Sequence, residues 1–296
     1  MKRKLNVNLV PSIRKLEVVT KGLIKTKGIG SYKSVFRGKG LEFSDYRAYN
    51  LEDDSALIDW KASLRTNQLL MRQYEEERDL MVFFLFDCSS SMIFGSTEKL
   101  KNEYAVEMVA SLAYTILDAG DSVGLVMFND KIVHKVAPGK GKGQFYSLIR
   151  ALRNVDNYGG GYDFGKAVEF VLNYLKQSAI VFIVSDFIGL NESVSKNLEV
   201  VSARFDTIGV MIRDPRDKVL PDDVGQVVIE DPYSKQTLLI EPELIKDIYE
   251  EEIKKQENEI KELFLKNRSD FISLTTDKSF MKPVLNLFRE RSLKWR

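Results

Sequence analysis

Hydrophobic positions along this chain fall into short unbroken runs separated by stretches of helical periodicity, an alternation that predicts strands and helices in turn. The clearest run spans residues 80–86; it carries no charge and stops abruptly at Asp87-Cys88-Ser89-Ser90-Ser91. A strand uncharged on both faces belongs inside a parallel sheet, because a charged side chain there would be desolvated under the covering helices. Residues 122–128 and 179–184 repeat the pattern, and 205–212 and 271–275 read as further strands. Between them Leu100, Tyr104, Met108, Leu112 and Ile116 share one helical face of a helix over 97–118, capped by Ser96 or Thr97. Residues 144–155, 164–176, 191–200, 241–266 and 278–291 read as further helices.

Smaller features fill in the order. The Asn129-Asp130 turn leads into residues 131–136, a polar strand suited to a sheet edge. Gly139-Lys140-Gly141-Lys142-Gly143 reads as a flexible turn, since no Ser or Thr follows the Gly-Lys pair as a phosphate cradle requires. Residues 221–240 alternate short apolar pieces with turn residues, which predicts a hairpin insertion near 216–240. The first 78 residues differ in texture: 28–49 lack helical periodicity, and Asp53, Asp54, Asp59, Arg65 and Arg72 crowd around Ile58 and Trp60. The expectation is an irregular or short-stranded region over 1–78, packed on an α/β domain over 79–296. So short a segment with few aliphatics buries little surface alone.

Composition narrows the classes. The 296 residues are 44% hydrophobic with net charge +1, which argues against a general nucleic-acid or anionic-membrane binder. The basic start, Met1-Lys2-Arg3-Lys4, is followed by no apolar run long enough for a secretory core or a membrane span, so the reading is a soluble cytoplasmic protein. One cysteine allows no internal disulfide, and one histidine argues against a His/Cys zinc site. Cys88 has no nearby base and reads as a small buried thiol.

The candidate chemistry lies at strand ends. Asp87, Ser89 and Ser91 alternate in a tight loop leaving the first strand, an all-oxygen set of the kind a hard cation such as Mg²⁺ takes. A second buried run ends in Ser185-Asp186. If the two strands are parallel neighbours, Asp87 and Asp186 emerge at one rim, where carboxylates repel unless a cation sits between them or one is protonated. Helix capping is the alternative use of each of these residues.

These residues carry a resemblance. Asp87-Cys88-Ser89-Ser90-Ser91-Met92, the Gly159-Gly160-Gly161 loop before Asp163, and Asp186 resemble the three loops of the metal-ion-dependent adhesion site of a von Willebrand factor A (VWA) domain. Upstream, Phe36-Arg37-Gly38-Lys39-Gly40-Leu41-Glu42-Phe43, Arg47-Ala48-Tyr49, Asp53-Asp54 and Ile58-Asp59-Trp60 resemble the signature of family 58 of the domains of unknown function. The resemblance implies a Rossmann-like fold with a mostly parallel sheet, one antiparallel edge strand and helices on both faces. It also implies a Mg²⁺ (or Mn²⁺ or Ca²⁺) site on Asp87, Ser89, Ser91 and Asp186, and a partner among MoxR-type AAA+ ATPases. Tyr162 stands where the pattern has threonine, and Asp163 beside it is the candidate substitute, directly or through water.

Three function classes follow. The first is a non-enzymatic interaction module that bridges to a partner carboxylate through the cation. The second is a metal-free structural adaptor. The third is a metal-dependent hydrolase or phosphotransferase, disfavoured because Ser89 stands where the haloacid dehalogenase type has its second aspartate and because His134 lies in the expected edge strand.

Overall fold

The computed structural model describes residues 42–50, 58–66, 68–75, 80–190 and 194–294. The chain runs β1 (Glu42–Ala48), α1 (Trp60–Thr66), β2 (Leu70–Glu75), β3 (Met81–Asp87), α2 (Lys101–Asp118), β4 (Ser122–Phe128), β5 (Ile132–Gly139), α3 (Gly141–Arg153) and α4 (Phe164–Tyr174). It continues through β6 (Ile180–Ser185), α5 (Val194–Arg204), β7 (Asp206–Arg213), the short α6 (Pro215–Lys218), β8 (Val227–Glu230), β9 (Thr237–Ile240), α7 (Pro242–Lys266), β10 (Asp270–Thr275) and α8 (Met281–Lys294).

Six strands form the central sheet in the order β10-β7-β6-β3-β4-β5. All neighbours are parallel except β4 and β5, so the polar strand after Asn129-Asp130 is the antiparallel edge. The uncharged run of β3 lies at the middle, and its alternating side chains feed two cores. Val82, Phe84 and Phe86 pack with residues of α2, α3 and α8, whereas Phe83 and Leu85 pack with residues of α4, α5 and α7. Helices therefore cover both faces. Each such buried Phe contributes on the order of 2 kcal/mol or more by leaving water.

This order creates the crevice that matters. From β3 the chain builds outward through β4 and β5, then returns to the other side of β3 and builds outward through β6, β7 and β10. The carboxyl ends of β3 and β6 thus flank a topological switch point, the place where open α/β sheets bind ligands. Phe86 pairs with Val184, which sets Asp87 opposite Ser185.

Several local expectations are corrected. α2 begins at Lys101, and neither Ser96 nor Thr97 caps it; Ser96 donates from N (2.8 Å) and Oγ (2.5 Å) to Asp214. Glu103 instead reaches back to accept from Leu100 N at 3.1 Å. The supposed Gly-Lys turn is the end of β5 and the first turn of α3, tied down by Gln144 Nε2, which donates to the carbonyls of Val123 and Ala137 at 2.7 Å each. On α7 Ile260 and Phe264 are buried, but Ile248, placed on the apolar face by periodicity, is 71% exposed.

Upstream, β1 and β2 pair in a separate antiparallel ribbon. Asp59 of the family signature is the cap of α1: its Oδ1 accepts from Lys61 N (3.0 Å) and Ala62 N (3.1 Å), and its Oδ2 from the Tyr46 hydroxyl at 3.0 Å. Residues 36–41, Asp53 and Asp54 lie outside the described residues. No helix among the described residues is long and apolar enough to cross a membrane.

Candidate metal centre

The end of β3 turns sharply because Asp87 bonds its own loop: Oδ1 accepts from Ser89 N at 2.8 Å. Its Oδ2 accepts from Ser185 Oγ at 2.6 Å, tying the end of β3 to the end of β6. Cys88 faces inward, with its Sγ donating to the Phe128 carbonyl at 3.1 Å. Burial, then the charge of Asp87, pushes that thiol well above its ordinary range. Ser89 precedes a single 3₁₀ turn, Ser90–Ile93, without capping it. Its hydroxyl instead lies 3.2 Å from Ser91 Oγ. Residues 159–160 wall this loop: Gly159 N donates to Cys88 O (2.8 Å) and Ser90 N to Gly160 O (3.1 Å).

Asp186 joins from β6. Its Oδ1 accepts from Ser91 Oγ (3.1 Å) and Ile188 N (3.0 Å), and its Oδ2 accepts from Lys101 Nζ at 2.7 Å. Lys101 also donates to Asp217 Oδ2 at 2.9 Å, so α2 drives a buried ammonium between two carboxylates. Burial alone would lower its pKa, but the charges of Asp186 and Asp217 more than offset that, and its pKa lies above the ordinary value. Asp87 is pushed up to about 7, first by burial and then by the charge of Asp186, against the opposing hydrogen bonds from Ser185 and Ser89.

Asp87, Ser89, Ser91 and Asp186 therefore converge, each nearly or fully buried. Asp163 does not join them. It caps α4 by accepting from Lys166 N at 3.0 Å and pairs with Lys166 Nζ at 3.2 Å, on a side chain 36% exposed. The helix N-terminus competes for that carboxylate and wins, because its free N–H groups lie within reach. Tyr162 points inward with its hydroxyl buried and lacking a well-formed hydrogen bond. Burial, then the Asp87 charge, holds that phenol well above its usual range, while Ser185 lies near enough to oppose the shift. Asp186 caps no described helix, since residues 187–190 after it are not helical.

Three further side chains contribute that the sequence motifs do not single out. Ser185 sat in view as the residue before Asp186, and its place opposite Asp87 is readable once the two strands are paired. Lys101 carries no signal, because a first-turn lysine is ordinarily solvated and its burial depends on Asp186 and Asp217 far along the chain. Tyr233, from the β8–β9 turn, lies 3.0 Å from Ser91 Oγ and 3.4 Å from Ser89 Oγ.

The donor set suits a divalent hard cation. Among the described residues no three His, Cys, Asp or Glu side chains are grouped to hold a metal, so serine oxygens would have to share the task with carboxylates. The Ser89–Ser91 and Ser91–Asp186 separations of 3.2 and 3.1 Å are close to the ~3.0 Å between adjacent oxygens around Mg²⁺. Charge also fits: Asp87, Asp186 and Asp217 against Lys101 leave two negative charges when Asp87 is ionised.

A family model described as "Protein of unknown function DUF58" matches residues 45–259. The chain belongs to the DUF58 family. Among similar proteins, the uncharacterized protein Rv1480 of Mycobacterium tuberculosis is 26% identical over 228 residues, covering 76% of this chain and 71% of its own. The uncharacterized protein YeaD of Bacillus subtilis is 34% identical over 79 residues, 27% of this chain and 18% of its own. Among solved structures, the conserved hypothetical protein BatB from Bacteroides thetaiotaomicron is similar at TM-score 0.48 and 12% identity, over 73% of this chain and 99% of that one. The SpRpn10 VWA domain is similar at TM-score 0.32 and 15% identity, over 46% and 76%. The VWA-like architecture of this DUF58 chain rests on its own strand order and single antiparallel edge.

Proposed function

We propose that this DUF58 chain is a protein-interaction module, not an enzyme, and that its partner contact runs through a divalent cation, Mg²⁺ first among candidates, on Asp87, Ser89, Ser91 and Asp186. One observation carries the reading: oxygen side chains from two strand ends meet within 3.2 Å of one another at the switch point. When bound, the cation would supply a coordination position that a partner's carboxylate can take. The protein's own groups hold and orient. Ser185 fixes Asp87, Lys101 restrains Asp186 through Oδ2, and Ser91 keeps its Oδ1 turned toward the serines.

Proton transfer machinery is not part of this picture. Lys101 is locked between two carboxylates, and His134 lies exposed on the edge strand β5. The partner class implied by the family resemblance is an AAA+ ATPase of MoxR type, with an adaptor role in assembling or maturing protein complexes. Co-purification with such an ATPase tests this: EDTA and Asp87→Ala should each release the partner. Binding unchanged by both would place the contact elsewhere, for example on residues 28–78.

A second reading draws on Lys101. Its ammonium already neutralises Asp186, as a resident cation would, and a metal-free adaptor built around that pair would bind its partner equally in EDTA.

A further inference from the structure

The β8–β9 hairpin stands outside the central sheet, and Val228, Ile229, Leu238 and Leu239 along it are exposed. Its turn does something different. Tyr233 reaches back to the candidate cation site, where its hydroxyl lies 3.0 Å from both Ser91 Oγ and the Ile188 carbonyl, and 3.4 Å from Ser89 Oγ. The ring lies over Gly189, at φ +90°, where an added Cβ would come within 3.1 Å of Tyr233 Cε2. A side chain there would crowd the ring, which would have to give by a few tenths of an ångström.

The turn itself is built to aim this side chain. Asp231 Oδ1 accepts from Tyr233 N (2.9 Å) and Ser234 N (2.6 Å), and Asp231 N donates to Gln236 O at 2.8 Å. Lys235 takes φ +61° to close it. A tyrosine so presented, from strands that are mostly exposed, can withdraw without breaking the core.

We propose that Tyr233 is a built-in occupant of the site's open face, a latch that an incoming cation and its outer ligand must displace. The idea rests on the metal reading above for what displaces it. A neutral phenol is a poor ligand for a hard dication compared with water or a carboxylate. While it engages Ser89 and Ser91, those oxygens are turned to a hydrogen bond. Cation binding then requires the hairpin to swing out, which couples occupancy of the site to the position of an exposed apolar hairpin.

The test compares wild type with Tyr233→Phe by Mn²⁺ titration and by amide hydrogen exchange, with and without Mn²⁺. The latch predicts tighter Mn²⁺ binding by Tyr233→Phe, by about five-fold, the scale of one hydrogen bond. It also predicts that Mn²⁺ speeds exchange across 227–240 in wild type. Equal or weaker binding by Tyr233→Phe overturns it, weaker binding meaning that the phenol is itself a ligand; so does Mn²⁺ binding that leaves hairpin exchange unchanged. Absence of Mn²⁺ binding in both proteins sinks the metal reading alone, and exchange then decides the latch. In that case Tyr233→Phe must still speed exchange at 227–240, and unchanged exchange rejects the latch as well.

Discussion

Lys101 Nζ lies 2.7 Å from Asp186 Oδ2, with the two side chains 1% and 0% exposed, so a positive charge is built into the wall of the candidate cation site. This leaves Oδ1 as the oxygen through which Asp186 faces the serines. Removing one partner of a buried pair strands the other charge, at a cost of about 3–5 kcal/mol. Lys101→Met should lose that much in urea denaturation in EDTA, and saturating Mg²⁺ should restore part of it by replacing the lost charge. A loss below about 1 kcal/mol, the scale of an exposed pair, would contradict this account.

The pH dependence of stability reads out Asp87. Its folded pKa, about 7, lies above the ordinary 3.8, so the folded state holds the proton more tightly than the unfolded chain. The stabilisation is complete below the unfolded value and is lost as pH rises through the folded one. In EDTA, the melting temperature should therefore carry a decline between about pH 4 and 7 that Asp87→Asn removes. Mg²⁺ should raise the melting temperature more at pH 8 than at pH 5, since it competes with that proton. An equal Mg²⁺ effect at both values would contradict the coupling.

Asp163 provides the internal control. As the cap of α4, Asp163→Ala should cost about 1 kcal/mol of stability while leaving Mg²⁺ affinity untouched. A large fall in affinity would return Asp163 to the ligand set.

A fourth prediction concerns the scaffold. A Cβ on Gly209 would lie 2.6 Å from Cε1 and Cζ of Phe264, so α7 sits directly on β7 at this point. Gly209→Ala should destabilise by about 1–3 kcal/mol in urea denaturation. A neutral result would show that Phe264 has room to move.

Much of this architecture is legible along the chain. Uncharged runs such as 80–86 mark central strands because burial on both faces leaves no room for polar alternation, and the strand-end aspartates mark the rim. Boundaries are less legible: α2 starts at Lys101 and not near 97, because Ser96 finds a better partner in Asp214, distant in sequence. The site divides in the same way. Asp87, Ser89, Ser91 and Asp186 follow from local spacing plus strand pairing. Lys101 and Tyr233 do not, since each reaches the site through contacts that only the folded topology creates. Asp163 has a purely local role that its position beside a helix start makes readable: its carboxylate caps α4.

The most direct measurement is calorimetric titration of the purified protein with Mg²⁺. The account predicts saturable binding of one ion by wild type, abolished in Asp87→Ala, weakened in Ser91→Ala and retained in Asp163→Ala. A wild-type titration indistinguishable from that of Asp87→Ala would contradict it.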